Sequence, residues 1–185
     1  VVRDATDRAG SLVESLLALA RIEAQVQNGL ENVEDVDLTA AVPRAVHAVG
    51  PEAEAAGVTL HSDAAAAPVR GDVHLLEQLV ANLLSNAVRH NTPCGEAWVS
   101  TRTDGTWVVL TVSNTGQQLD ESSVTELLRP FKRAADRTAA EGTGLGLSIV
   151  DAIVRAHQGS IALSARPEGG LEVSVRLPAR TDPRK

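Results

Sequence analysis

Stretches of helical apolar spacing alternate along the chain with stretches of strict in–out alternation. In DRAGSLVESLLALARIEAQ, Leu12, Val13, Leu16, Leu17, Leu19 and Ala20 recur at helical intervals with Arg and Glu between them, which predicts an amphipathic helix over residues 3–26. Its apolar stripe is broad, so it should pack on something outside the main domain. Gly29 ends it, and the polar, acidic NGLENVEDVD that follows reads as a linker over 27–36. LTAAVPRAVHAVGPEAEAAG is helical with Pro43 in its early turns, and VTLHS and APVRG are short strand candidates. The clearest helix lies in GDVHLLEQLVANLLSNAVRHN, where Asp72 is suited to N-cap a run of leucines and valines at helical spacing. AWVSTRTDGTWVVLTVSN splits into two alternating runs about Asp104-Gly105, a type I′ hairpin signal. DESSVTELL is a short helix capped by Asp120, residues 145–157 form a longer one stopped near Gly159, and GSIALSARPEGGLEVSVRLP makes a last hairpin around Glu168-Gly169-Gly170. This order predicts an α/β two-layer sandwich, a mixed and mostly antiparallel sheet with helices on one face, preceded by one long amphipathic helix.

Composition narrows the function classes. With 185 residues, 43% of them hydrophobic, the chain can bury one core. It contains no methionine, so a fragment of a longer protein is expected. No apolar run approaches the ~20 residues of a membrane span, and no signal peptide is visible, so this piece is expected to be soluble. Seventeen basic against 24 acidic residues give a net charge of −7, which argues against a surface that tracks nucleic-acid phosphates. Trp98, Trp107 and Phe131 are the whole aromatic set, too few for a base-stacking platform. A single cysteine, Cys94, excludes an internal disulfide and a cysteine-rich metal cluster and fits a reducing compartment.

Two patterns carry candidate chemistry. In EGTGLGLSIV, Gly142, Gly144 and Gly146 stand at alternate positions directly ahead of a helix. Glycines there let backbone N–H groups approach a phosphate closely. The spacing is neither G-x-G-x-x-G behind a strand nor a Walker loop, and taken alone it also fits a glycine-rich connection that merely starts a helix. On the clearest helix, Asn82 and Asn86 stand four apart on one face, with Arg89 one turn further on. An asparagine carbonyl is a hard oxygen ligand of the kind magnesium accepts, although helix-edge amides also serve to cap a neighbour.

Four boxes in order decide between these readings: NLLSNAVRHN, VSNTGQQL, RPFKR and GTGLGLSIV. With them the chain closely resembles the ATP-binding domain of sensor histidine kinases, within the wider fold family of gyrase-type and Hsp90-type ATPases. The resemblance covers roughly residues 37–178. It implies a Bergerat-type ATP-binding fold over 37–181 with a short tail at 182–185, and likens residues 1–26 to the second helix of a dimerisation and phosphoacceptor hairpin. It further implies that Asn86 binds Mg²⁺ with support from Asn82, that Arg89 meets phosphate and that His90 lies beside the nucleotide. Asn114 would face the adenine amino group, with Gly116 giving the base room. Between Leu119 and Gly142 the family has a mobile lid, in which Phe131 anchors and Arg133 or Arg137 reaches phosphate. Gly142, Thr143, Gly144, Leu145, Gly146 and Leu147 would close over the triphosphate. The implied cofactors are ATP and Mg²⁺. The implied partners are a phosphoacceptor helix of the same or a partner subunit and a response-regulator receiver domain, in a homodimer that is the cytoplasmic part of a membrane-anchored sensor.

The family usually has aspartate where this sequence has Asn114 and a second glycine where it has Gln118. A neutral amide accepts more weakly than a carboxylate and its own NH₂ needs a partner, so weaker ATP binding is expected. Gln118 should reshape the start of the lid. None of His47, His61, His74, His90 and His157 is followed by the acidic residue, arginine and proline of the family's phosphoacceptor box, so the accepting histidine is expected upstream of Val1. His47, His61 and His157 read as surface or satisfied core residues. Gyrase-like relatives carry glutamate where Asn82 stands, and an amide is no general base at neutral pH. Phosphoryl transfer with little hydrolysis is therefore expected. The alternatives are an anti-sigma-factor-type protein serine kinase, against which the leading helix argues, and a degenerate nucleotide-binding scaffold.

Overall fold

The computed structural model describes residues 2–131 and 144–180. In chain order the elements are α1 (Val2–Asn28), β1 (Glu34–Asp37), α2 (Ala41–Ala56), β2 (Thr59–Ala64), β3 (Pro68–Gly71), α3 (Val73–Arg89), β4 (Glu96–Asp104), β5 (Trp107–Asn114), α4 (Glu121–Val124), α5 (Gly146–Ala156), β6 (Ser160–Ala165) and β7 (Leu171–Pro178), with 3₁₀ turns at Leu38–Ala40 and Thr125–Leu128. The five-stranded sheet runs β2-β4-β5-β7-β6. Its β2–β4 pair is parallel and the others are antiparallel, so the predicted mixed sheet forms.

Alternation explains which face is covered. Ala97, Val99, Val108, Leu110, Val112, Val173, Val175 and Leu177 point inward and are buried, meeting the apolar stripes of α2, α3 and α5. The opposite face carries Trp98, Ser100, Thr111, Ser174 and Arg176 and stays partly open. On α3, Leu76, Leu79, Val80, Leu83 and Leu84 are buried, and Asp72 caps the helix by accepting from His74 N–H (2.9 Å) and Leu75 N–H (3.1 Å). His157, just past α5, fastens that same turn. Its Nε2 accepts from Asp72 N–H at 3.1 Å, and its Nδ1 lies 2.8 Å from the Ile153 carbonyl, to which it donates. The predicted satisfied core histidine is thus a clamp between the start of α3 and the end of α5.

Three local expectations change. The stretch read as a linker contains β1, which pairs antiparallel with β3 through Val36 and Val69. With one apolar residue among three acidic ones, EDVD is too short to show alternation. The β4–β5 loop is Gly105-Thr106, closed by Asp104 opposite Trp107. Only its glycine has positive φ, +61°, the sign pattern of a type II′ turn instead of I′. Finally, α1 does not point wholly away from the domain. Ile22 is 2% exposed within the common core, and Glu23 pairs with Arg155 of α5 at 2.5 Å, while Val13, Leu16 and Leu17 remain exposed. Among the described residues no helix is long and apolar enough to cross a membrane.

Candidate functional site

The two motif-bearing helices meet at one point. Asn82 and Asn86, both half-buried, lie one turn apart on α3, and Gly146 opens α5 directly against the second of them. A Cβ placed on Gly146 would stand 3.0 Å from Asn86 Nδ2 and 3.1 Å from its Oδ1. Glycine therefore leaves the room that the carboxamide occupies. Asn82 Nδ2 is buried and has no hydrogen-bond partner among the described residues. A buried donor left so costs about 1–3 kcal/mol, which an acceptor on a bound ligand would offset. Among the described residues no side chain caps α5. Leu145, fully buried at the cap position, accepts from Ser148 Oγ–H (2.8 Å) and Ile149 N–H (2.9 Å), and Leu147 packs partly buried against the core. The start of α5 is thus held by apolar anchors, while the first N–H groups of the helix lack a capping side chain among the described residues and carry the positive end of its dipole.

Phe131 and Gly144 face each other from the two sides of residues 132–143. Both take left-handed backbone, φ +64° and +70°, and Phe131 N–H donates to the Gly144 carbonyl at 3.1 Å. The contact is made by backbone, since the Phe131 ring is 58% exposed. Arg133, Arg137, Gly142 and Thr143 lie outside the described residues, as does the tail at 182–185.

A second rim forms at the end of β5. Asn114 is 6% exposed, and its Nδ2 donates to the Thr115 carbonyl (2.7 Å) and the His90 carbonyl (3.2 Å). His90, half-buried at the C-cap of α3, in turn donates its N–H to the Asn86 carbonyl at 2.9 Å. The last turn of α3 therefore ties the two rims together. Gly116 sits where a Cβ would come within 3.0 Å of the His90 carbonyl oxygen. Gln118 Nε2 donates to the Pro167 carbonyl at 3.4 Å, joining the segment after β5 to the β6–β7 turn. Arg89 is engaged at its flank: its Nη2 donates to Ser85 Oγ (3.2 Å) and its Nε lies 3.7 Å from Glu52 Oε1.

Three supporting residues had no role at the site assigned from the sequence. Asn91 donates through Nδ2 to the carbonyls of Ala87 (3.1 Å) and Glu96 (2.9 Å) and accepts from Thr115 Oγ1 (2.5 Å), stapling α3 to β4 and β5. Gly169 and Gly170, read only as turn residues, pack beneath VSNTGQQL: a Cβ on Gly170 would overlap the Asn114 carbonyl oxygen, and one on Gly169 that of Gly116. The glycine doublet was the visible signal, but a hairpin turn already accounted for it.

The named side chains are amides, not carboxylates, and among the described residues no group of three or more His, Cys, Asp or Glu side chains could hold a metal. A cation here would take an amide oxygen and complete its shell from water and a polyphosphate, as magnesium does. Residues 71–181, running from the turn before α3 to the residues just past β7, match the family described as "Histidine kinase-, DNA gyrase B-, and HSP90-like ATPase". The chain belongs to this ATPase family. Sensor protein CutS of Streptomyces coelicolor is 40% identical over 176 residues, 93% of this chain and 41% of CutS. The mycobacterial sensor histidine kinase MprB superposes with a TM-score of 0.73 at 25% identity, covering 80% of this chain and all of that structure. Full-length ShkA, solved in complex with AMPPNP, gives 0.82 at 23% identity over 97% of this chain and 38% of its own, a likeness of fold. The curated relatives it matches include a sensor protein and a probable sensor histidine kinase, and the chain spans about two-fifths of the length of CutS.

Proposed function

We propose that this chain binds Mg-ATP between α3 and the start of α5 and passes the γ-phosphoryl group to a histidine on a phosphoacceptor helix, from which it goes to an aspartate of a response-regulator receiver domain. The observation that carries this reading is the closeness of Asn86 to Gly146. The side-chain Oδ1 of Asn86 would hold Mg²⁺, which when bound would neutralise charge on the phosphates. Asn82 supplies its unpartnered donor, and the N–H groups of the Gly144–Leu147 hinge face the triphosphate. Asn114 and Gly116 take the adenine. Arg89 reaches phosphate by leaving Glu52, an exposed pair whose loss costs little. Arg133, Arg137, Gly142 and Thr143 contribute from the lid.

Phosphoryl transfer needs positioning and charge neutralisation more than covalent help. With amides at 82 and 86 the site has no base there to activate water, so transfer prevails over hydrolysis. In the intact protein α1 is the second helix of the phosphoacceptor hairpin, in a homodimer that forms the cytoplasmic part of a membrane-anchored sensor. Mixing this chain with a separately expressed phosphoacceptor hairpin and γ-labelled ATP tests the proposal. Acid-labile, base-stable label on the hairpin is the expected result. Acid-stable phosphoserine on another protein would favour the serine-kinase reading, and no binding at millimolar ATP would favour a scaffold.

A further inference from the structure

Two Arg–Glu pairs of opposite polarity join α2 to α3. Near the helix starts, Arg44 of α2 meets Glu77 of α3, with Nη1 2.6 Å from Oε1. Arg44 also donates through Nε to the Ala40 carbonyl at the N-cap of its own helix (3.3 Å), so this pair serves the helix packing. Near the helix ends, Glu52 of α2 faces Arg89 of α3, with Oε1 3.7 Å from Nε. That separation exceeds hydrogen-bond length, and both side chains are partly exposed. Nη2 of the same guanidinium donates to Ser85 Oγ (3.2 Å), one turn back on α3 and directly before Asn86. Arg89 is therefore shared between a hydroxyl of its own helix and a carboxylate of the next one, at the end of α3 that carries Asn86 and His90.

Resting on the Mg-ATP reading above, we propose that Glu52 is a positioning residue that competes with the triphosphate for Arg89 and thereby sets the affinity of the site. A guanidinium that leaves a carboxylate for a phosphate oxygen gives up the first attraction to gain the second, so the net gain on binding is smaller by the worth of the pair. The abandoned carboxylate also repels the incoming anion. Because the contact is exposed and monodentate, the competition is mild and easily reversed; a buried or bidentate partner would withhold Arg89 altogether. Ser85 is neutral and its hydroxyl can donate or accept, so it guides the guanidinium along α3 without competing for its charge. The Arg44–Glu77 pair and the buried Val42, Ala45, Val49 and Ala53 of α2 keep the two helices together while Arg89 changes partner.

The test is calorimetric titration with Mg-ATP of wild type, Glu52→Gln, Glu54→Gln, Arg89→Gln and the double variant of Glu52→Gln with Arg89→Gln, at about 0.05 M and about 0.5 M salt. Glu54→Gln removes the same unit of charge from an exposed position two residues further on, on the opposite side of α2. Glu52→Gln should bind Mg-ATP about two- to fivefold more tightly than wild type at the lower salt, with the gain shrinking at the higher. Glu54→Gln should stay within about 1.5-fold of wild type, and Glu52→Gln should bring no gain once Arg89 is replaced. If Arg89→Gln weakens binding while Glu52→Gln leaves it unchanged or weaker, or if the gain recurs in Glu54→Gln or in the Arg89→Gln background, this inference alone is overturned. An Arg89→Gln protein that binds as tightly as wild type overturns the phosphate role of Arg89 and the inference with it, and wild type that binds no Mg-ATP overturns the functional reading.

Discussion

Replacing Gly146 with alanine adds one methyl group where α5 faces α3. The new Cβ would lie 3.0 Å from Asn86 Nδ2 and 3.1 Å from Oδ1, inside the ~3.5 Å separation at which such atoms attract. The obstacle is the free end of a side chain, so Asn86 can swing away at a cost of about 0.5–1.5 kcal/mol for an off-rotamer pose. Alanine recovers much of this, because glycine in a helix costs roughly 0.5–1 kcal/mol relative to it. The stability of the protein without nucleotide should therefore change by less than about 1 kcal/mol in either direction. Binding has no such compensation. A displaced carboxamide forfeits a contact to a charged group worth about 1.5–3 kcal/mol, which is roughly a ten- to 150-fold loss of Mg-ATP affinity. Calorimetric titration with Mg-ATP, paired with urea unfolding of the same preparations, separates the two quantities. Unchanged affinity would refute the argument that Asn86 and the hinge share one ligand. A stability loss of several kcal/mol would refute the argument that the side chain can yield.

Asn82→Leu removes the buried amide nitrogen that has no partner among the described residues; urea unfolding should show a gain of about 1 kcal/mol, while ATP binding falls in the same preparation. Gly170→Ala forces a side chain onto φ +102° and into the Asn114 carbonyl, so it should cost about 3 kcal/mol or more, read as a lowered melting temperature. Burial holds the His157 pKa below the ordinary histidine range, against the opposing pull of its bond to the Ile153 carbonyl and the nearby Asp72 charge. Below about pH 6.5 the unfolded chain binds a proton that the folded imidazole resists, so stability is full above that pH and falls as pH drops toward the depressed value. Urea midpoints at about pH 8 and about pH 5.5 should differ in that direction, and His157→Gln, which keeps an acceptor for Asp72 N–H but does not titrate, should flatten the slope; an equal slope in the variant would count against the assignment.

Long apolar stripes made the helices legible. On α3, seven buried Leu, Val and Ala residues and the Asp72 cap announce the helix without help from the rest of the chain, and β4 and β7 alternate cleanly enough to assign their inner faces, whereas β5 is buried at six of its eight positions. One short element was not legible: β1 has four residues and one apolar side chain, so its pairing with β3 is decided by the tertiary fold. The β-turn shifted by one residue because Asp104 and Thr106 both flank the glycine that satisfies positive φ, and the strand register makes the choice. At the site, the spacing of Asn82 and Asn86 put two amides on one helical face, but only the fold could bring Gly146 against one of them. The anchoring of Asn114 was hidden for the same reason, since its acceptor at His90 lies 24 residues away. The site roles of Asn91 and Gly170 were hidden likewise, because Thr115, which donates to Asn91, lies 24 residues away and Gly170 packs on the distant Asn114 backbone.

The most direct measurement is a titration of the chain, labelled with ¹⁵N, by Mg-ATP, following the side-chain amide resonances of asparagine and the backbone resonances of the hinge. The account predicts that the Asn82, Asn86 and Asn114 side chains and the Gly144 and Gly146 backbone shift together along one saturable curve, and that omitting Mg²⁺ reduces the response most at Asn86. A nucleotide that perturbs the hinge while the α3 amides stay still, or the reverse, would contradict it.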